Sequence, residues 1–196
     1  MSVTGIHPSG LSVTPVVAQT QESTWTLVAR RALDVGVSVV LLLAVTPLLL
    51  VIAIVIRFDS PGGSLFRQRR LGLDLEPFEI LKFRSMRQDV DHGKHRDYVL
   101  SLIAGDHIEP DADGSDALFK MTTDDRVTRV GHFLRRSSLD ELPQLWNVLR
   151  GEMSLVGPRP PIPYEVEQYP AEWFDRFAVK PGLTGLWQVS GRSKLT

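Results

Sequence analysis

From Val35 to Ile56 the chain reads VGVSVVLLLAVTPLLLVIAIVI, 22 residues without a charge, with Arg30, Arg31 and Asp34 before it and Arg57 after it. Wound as a helix at about 1.5 Å per residue, such a run is about 33 Å long, enough to cross the hydrocarbon of a bilayer. The segment therefore belongs in a membrane. Two features argue against a simple crossing. Pro47, after Thr46, falls near the middle, where it removes a backbone N–H and bends the helix. Basic residues stand on both flanks, a symmetric bias that favours both ends on the cytoplasmic side. A spanning helix kinked by proline is the competing reading. The preferred one is a membrane re-entrant helix over 26–57, with its break at Thr46 and Pro47.

Outward from that segment the composition changes. Residues 1–25 hold one charged residue, Glu22, and are rich in Ser, Thr, Gln, Gly and Pro without apolar periodicity, which reads as a disordered N-terminal tail. They lack the basic start and cleavage site of a signal peptide. The chain of 196 residues, 43% hydrophobic and 23% charged, has room for one domain with a real core over 58–196. Its net charge of -1 hides local basic clusters at Arg67, Arg69, Arg70, Lys82 and Arg84, and again at Arg126, Arg129, Arg135 and Arg136. With no cysteine, disulfide frameworks, thiolate metal sites and cysteine nucleophiles are excluded. Asp59 to Gly63 is a turn, and Ser64–Arg70 with Pro77–Met86 predicts a short β-hairpin. Residues 87–119 are acidic and irregular. Asp111, Asp113 and Asp116 approach calcium-loop spacing without its downstream glutamate, so a solvated loop is the better reading.

Leu142, Leu145, Trp146 and Leu149 fall at i, i+3, i+4 and i+7, one face of a helix ending at Arg150 before Gly151. Pro143 fits only in the first turn, where N–H groups are unpaired anyway, so the helix is expected to begin at about Asp140. Asp140 and Glu141 would then meet the positive end of the helix dipole, which favours an anion by about 0.3–1 kcal/mol and keeps a carboxylate ionised. An ionised carboxylate can be a nucleophile or a magnesium ligand. The plainer alternative is a capping box, Ser138-x-x-Glu141, although a helix capped at Ser138 would put Pro143 at its fifth position and lose a hydrogen bond. Upstream, Val127, Val130, Phe133 and Leu134 make a second apolar stripe that leaves the arginines toward polar surroundings, as a solvated face or as phosphate ligands. Trp173, Phe174 and Trp187 are interfacial or core aromatics, with core preferred.

Together, Phe66-Arg67-Gln68-Arg69-Arg70-Leu71-Gly72, Lys82-Phe83-Arg84-Ser85-Met86, Arg135 to Pro143, Met153 to Pro160 and Lys180 to Arg192 resemble, in order, the blocks of the bacterial sugar transferase family, the monotopic polyprenyl-phosphate phosphoglycosyl transferases. The resemblance runs from about Arg31 to Ser193. It implies an α+β, mostly helical fold: a membrane re-entrant helix carrying a cytoplasmic catalytic domain with a small β-hairpin, at the bacterial inner membrane. By the same resemblance Asp140 is the nucleophile and Glu141 the adjacent acid, the two associated with Mg2+. Lys82, Arg135, Arg159 and Arg192 are the cations around the substrate phosphates.

The implied reaction moves a sugar-1-phosphate from a UDP-sugar to polyprenyl (undecaprenyl) phosphate through an aspartyl-phosphosugar intermediate, with ping-pong kinetics, to initiate exopolysaccharide, capsule or O-antigen synthesis. No nucleic acid is among the expected partners. The resemblance also implies a further stretch after Gly191-Arg192, so a chain ending at Thr196 is expected to be a shortened form. A shortened member that binds membrane or a partner without catalysis is the alternative.

Overall fold

The structure, a computed structural model, describes residues 23–87 and 126–185. The expected tail up to residue 22, the acidic stretch with Asp111, Asp113 and Asp116, and also Trp187 and Arg192 lie outside the described residues. The apolar run is the middle of one helix, α1 (Thr24–Asp59, 36 residues), which begins two residues before and ends two residues after the limits read from the sequence. It does not end at Thr46 and Pro47. The helix continues through them, and Thr46 Oγ1 donates to the Leu42 carbonyl at 2.5 Å, beside the position where Pro47 has no N–H to give.

One face of α1 lies against the rest of the chain near its start, at Arg31 and Asp34, and near its end, from Leu49 to Ile56. Asp34, Ser38, Ile52 and Ile56 are buried and Arg31, Val35, Leu42, Val45, Leu49 and Ala53 half-buried, a three-to-four-residue spacing that marks a single stripe. The opposite face, including Leu33, Val40, Leu43, Leu50, Val51 and Ile54, is exposed and apolar. The helix is long and apolar enough to cross a membrane, and this face has the composition that suits lipid.

Two strands follow, β1 (Leu65–Leu71) and β2 (Pro77–Phe83), paired antiparallel with Phe66 opposite Lys82 and Arg70 opposite Phe78. This is the expected hairpin, except that β2 stops at Phe83 and Met86 makes an isolated bridge to Val127 instead. Helix α2 (Arg129–Ser137) packs Leu134 and Val130, with Phe83, against Ile52 and Ile56 of α1, forming the first core. Its stripe is not quite the expected one: Phe133 is 63% exposed, and Arg126, read as polar-facing, is buried. Gly131 is required here. A β-carbon at that position would collide with the Ser85 backbone, so α2 can lie on the end of β2 only with hydrogen in that place.

A second core joins Ile80 of β2 to Val148 of α3 (Gln144–Arg150) and Met153. A second, parallel sheet was not anticipated. Strands β3 (Ser154–Val156) and β4 (Gly182–Thr184) are three residues each, too short for a periodic signal, and pair residues far apart in sequence. A β-carbon on Gly157 would run into the Lys180 carbonyl, so the two strands meet where both carry glycine. Between them come a four-residue helix α4 (Pro163–Val166) and a 3-10 segment (Ala171–Ala178) in which Phe177 is the buried ring. Trp173, expected in the core, is instead exposed, edge-on to Tyr169 at 5.1 Å. The fold is α+β and mostly helical.

Candidate active site

The acidic pair does not open an α-helix. Leu139–Glu141 form a 3-10 turn, and α3 begins at Gln144 with Pro143 as its N-cap residue. The reason is the proline itself. It cannot donate back to Leu139, so the bonds through this stretch skip three residues rather than four: Leu142 N to Leu139 O, Leu145 N to Leu142 O, Trp146 N to Pro143 O. The capping box is absent. Ser138 sits in the left-handed region (φ 57) as the C-cap of α2, and its side chain makes no cap bond. Its neighbour Ser137 bonds back to the Phe133 carbonyl at 2.8 Å. The Glu141 side chain is therefore available for something else.

What it meets is Lys82, whose Nζ donates to Glu141 Oε1 at 2.9 Å. Asp140 is buried, at 8% exposure. Burial pushes its carboxyl above the usual carboxylate range; Lys82 and Arg135 pull it down, and Glu141, a like charge, adds to the rise. The simple expectation that a helix dipole holds Asp140 fully ionised is thus corrected: desolvation is the largest influence, and two cations oppose it. Burial likewise lowers the Lys82 ammonium, with Glu141 opposing. Arg135 is aimed by its Nε, which donates to Ser85 Oγ at 2.8 Å, so both cations are set by β2 or the residues just past it.

Arg159 belongs to the same neighbourhood. Its charge depresses both Lys82 and Arg70. It stands on the Gly157–Pro161 loop, which β1 holds through Leu71 N to Pro161 O at 3.1 Å and Arg70 Nη1 to Pro160 O at 3.0 Å. Of the predicted residues, the structure brings together Asp140, Glu141, Lys82, Arg135 and Arg159. Arg192 lies outside the described residues, and Thr46 and Pro47 lie away from this cluster, in the exposed middle of α1.

Three contributors were missed. Arg70 is buried, its guanidinium lowered to about 10 mainly by burial and then by Arg159, so it stays charged at neutral pH beside the phosphate candidates. Asn147 is fully buried: its Oδ1 accepts from Leu81 N at 3.0 Å, and its Nδ2 donates to the Glu79 carbonyl and to Glu152 Oε2, both at 2.7 Å. It welds α3 to β2 one residue from Lys82, so the buried face of α3 is Gln144, Leu145, Asn147 and Val148, and Trp146 is 52% exposed. Arg84, counted among basic residues, is structural. It donates to the Ser60 and Pro61 carbonyls at 2.6 Å, capping the end of α1. A buried Asn or Arg inside an apolar pattern is the signal that would have found both.

Leu139, next to Asp140, packs on the core that Phe83 and Leu134 share with Ile52 and Ile56 of α1, so that core links the site to the apolar helix. Two adjacent carboxylates with phosphate-binding cations nearby suit magnesium, which is usually held by one or two carboxylates and completed by substrate phosphate oxygens. Among the described residues no group of three or more His, Cys, Asp or Glu could hold a metal by itself. Asp140 and Glu141, being two, fall short of such a group and could supply only part of a metal's ligands.

The chain is 42% identical over 167 residues to the UDP-galactose-lipid carrier transferase of Erwinia amylovora, covering 85% of this chain and 33% of that protein. It is 46% identical over 165 residues to the UDP-glucose:undecaprenyl-phosphate glucose-1-phosphate transferase of Caulobacter vibrioides, covering 83% and 54%. Against the exopolysaccharide production protein ExoY of Rhizobium meliloti it is 43% identical over 169 residues, covering 86% and 71%. The chain thus spans a third to about half of the length of several relatives it matches. Residues 25–196 match the model of the bacterial sugar transferases, and the chain belongs to that family.

Proposed function

We propose that this chain transfers a sugar-1-phosphate from a UDP-sugar to a polyprenyl phosphate at a membrane surface. The observation that carries the reading is the placement of a buried carboxylate, Asp140, among Lys82, Arg135 and Glu141, next to a residue, Leu139, that packs on the core shared with the apolar helix. In the first step an Asp140 oxygen attacks the sugar-bearing phosphorus, an Asp–O–P bond forms, and the bond to UMP breaks with its electron pair leaving on UMP. In the second, a phosphate oxygen of the polyprenyl carrier attacks the same phosphorus and the Asp140 carboxylate is regenerated. Lys82, Arg135 and Arg159 supply positive charge where the diphosphate would sit; arginine's planar fork suits phosphate oxygens. When bound at Asp140 and Glu141, Mg2+ would offset the repulsion between carboxylate and diphosphate. Glu141 holds Lys82 in place meanwhile.

Burial of Asp140 fits this role, because a poorly solvated carboxylate is a better nucleophile than a hydrated one once cations offset its charge. The membrane reading rests on the stripe along α1. Arg31 and Asp34 near its start and Ile56 near its end contact the same folded domain, although about 33 Å of helix lies between the ends of the apolar run. A perpendicular crossing would drag the domain through the bilayer. Both ends on the cytoplasmic side, with the outer face in the lipid of one leaflet, agrees with this packing and with the re-entrant placement.

The test is incubation of the lipid-reconstituted protein with UDP-sugars, Mg2+ and polyprenyl phosphate. The expected result is UMP release and a phosphosugar adduct on the protein, both lost in Asp140→Asn. An adduct that persists in Asp140→Asn removes that residue from the role.

A further inference from the structure

The most unusual polar group outside the site is Asp34. It is a buried acid on a helix whose next 22 residues carry no charge. A buried carboxylate costs several kcal/mol unless its oxygens are satisfied. Both are: Oδ2 accepts from Ser154 Oγ at 2.8 Å and Oδ1 from the Leu155 N–H at 2.9 Å. These partners are on β3, whose other edge is taken by β4 and its flanks, through Ser154 N to Pro181 O at 2.8 Å and Gly157 N to Thr184 O at 2.9 Å. Asp34 thus stands where a neighbouring strand would. One turn earlier, Arg31 donates to the Val148 and Leu149 carbonyls at 2.6 and 2.7 Å, capping the end of α3.

The two segments gripped by this single turn of α1 carry the two halves of the candidate site. Helix α3 follows the Asp140–Glu141 turn and is fixed to β2 beside Lys82 by Asn147. Strand β3 runs straight into the Gly157–Pro161 loop that bears Arg159. A leucine at position 34 would pack a helix on a strand as well. What the carboxylate adds is direction, since two acceptor oxygens fix both the register and the separation of β3 from α1.

We propose that Arg31 and Asp34 are positioning residues that set Arg159 relative to the Asp140 turn from the place where the chain enters the membrane. The inference rests on the transferase reading for its kinetic consequence and on the hydrogen bonds alone for its structural one. Both are read in lipid-reconstituted full-length protein. Asp34→Asn keeps the size but leaves only one acceptor oxygen, and is expected to lower kcat/KM for UMP release about tenfold, mainly by raising KM for the UDP-sugar. It should also raise amide hydrogen exchange in peptides covering 153–160 at least tenfold. Ser154→Ala should act in the same direction, and the double variant should be no worse than Asp34→Asn alone. Arg31→Lys should fall between wild type and Arg31→Gln.

Ile52→Ala is the control, since it weakens the same helix interface through packing only. Should Asp34→Asn move KM and exchange at 153–160 no more than Ile52→Ala does, or should the Asp34 and Ser154 effects simply add, the positioning role is overturned. A wild type that releases no UMP with any donor, while Asp34→Asn still loosens 153–160 selectively, sinks the transferase reading and leaves the tie between α1 and β3 standing.

Discussion

At the scale of single residues, the fold works against the charge on Asp140. Its carboxyl is raised by burial, with Lys82 and Arg135 opposing, so ionising it is harder in the folded chain than in the unfolded one. The sign follows directly: below the ordinary carboxylate value the acid is protonated folded or unfolded and costs nothing, and the penalty appears as pH rises through the higher folded value. Asp140→Asn is therefore expected to abolish transfer while melting at or above the wild-type temperature at pH 7, an advantage that shrinks toward pH 3; thermal unfolding across pH checks it. On the proposed mechanism, the raised Asp140 carboxyl is expected to put the acid limb of kcat above the usual carboxylate range, and the depressed Lys82 ammonium to bring the alkaline limb below its ordinary 10.5. A rate profile flat from pH 4 to 10.5 would contradict both assignments. Lys82→Met is expected to cost on the order of 10²-fold in UMP release, because it removes a cation from beside Asp140 and Glu141. Lys82→Arg should restore part of that loss.

Among the elements, the contacts that hold β2, α2 and α3 together decide whether those side chains meet. Gly131→Ala forces a methyl group into the Ser85 backbone and should destabilise the fold by about 1–3 kcal/mol, with activity falling as Arg135 loses its Ser85 anchor. Asn147→Ala leaves the Leu81 N–H and the Glu79 carbonyl without their side-chain partner and should cost about 2–4 kcal/mol, read by denaturant unfolding. The sequence made the long apolar helix and the hairpin legible, the first as 22 residues without a charge and the second as two short runs after a turn at Asp59 to Gly63. It also pointed, through the family blocks, to Asp140, Glu141 and Lys82, which the fold brings close together. The β3–β4 sheet was not legible, since three-residue strands carry no period and their pairing is fixed by glycines distant in sequence. Asn147 and Asp34 escaped for a related reason: each is a polar residue on an apolar face, and only the partner across the interface tells a buried bond from a solvated side chain. The start of α3 was misplaced because a proline is compatible both with a first α-turn and with the 3-10 turn that precedes one.

For the whole molecule, α1 behaves as part of the folded domain and only secondarily as an anchor. Its inner stripe closes the core that contains Phe83 and Leu134, and its outer face is apolar for lipid. The chain has no cysteine, so single cysteines at Thr26 and Phe58 provide clean topology probes. Both are expected to react with a membrane-impermeant maleimide only after the bacterial inner membrane is opened. Labelling of just one of them in sealed cells would mean that the helix crosses. The packing of α1 also bears on how the protein can be handled. Cutting the helix away to obtain a water-soluble fragment should yield an aggregating product, since the wound would bare the flank of α2 and the end of β2. Recolouring the lipid side with glutamate and lysine at positions such as Leu33, Val40, Leu43 and Leu50 leaves that seam intact and is the sounder route to a detergent-free form.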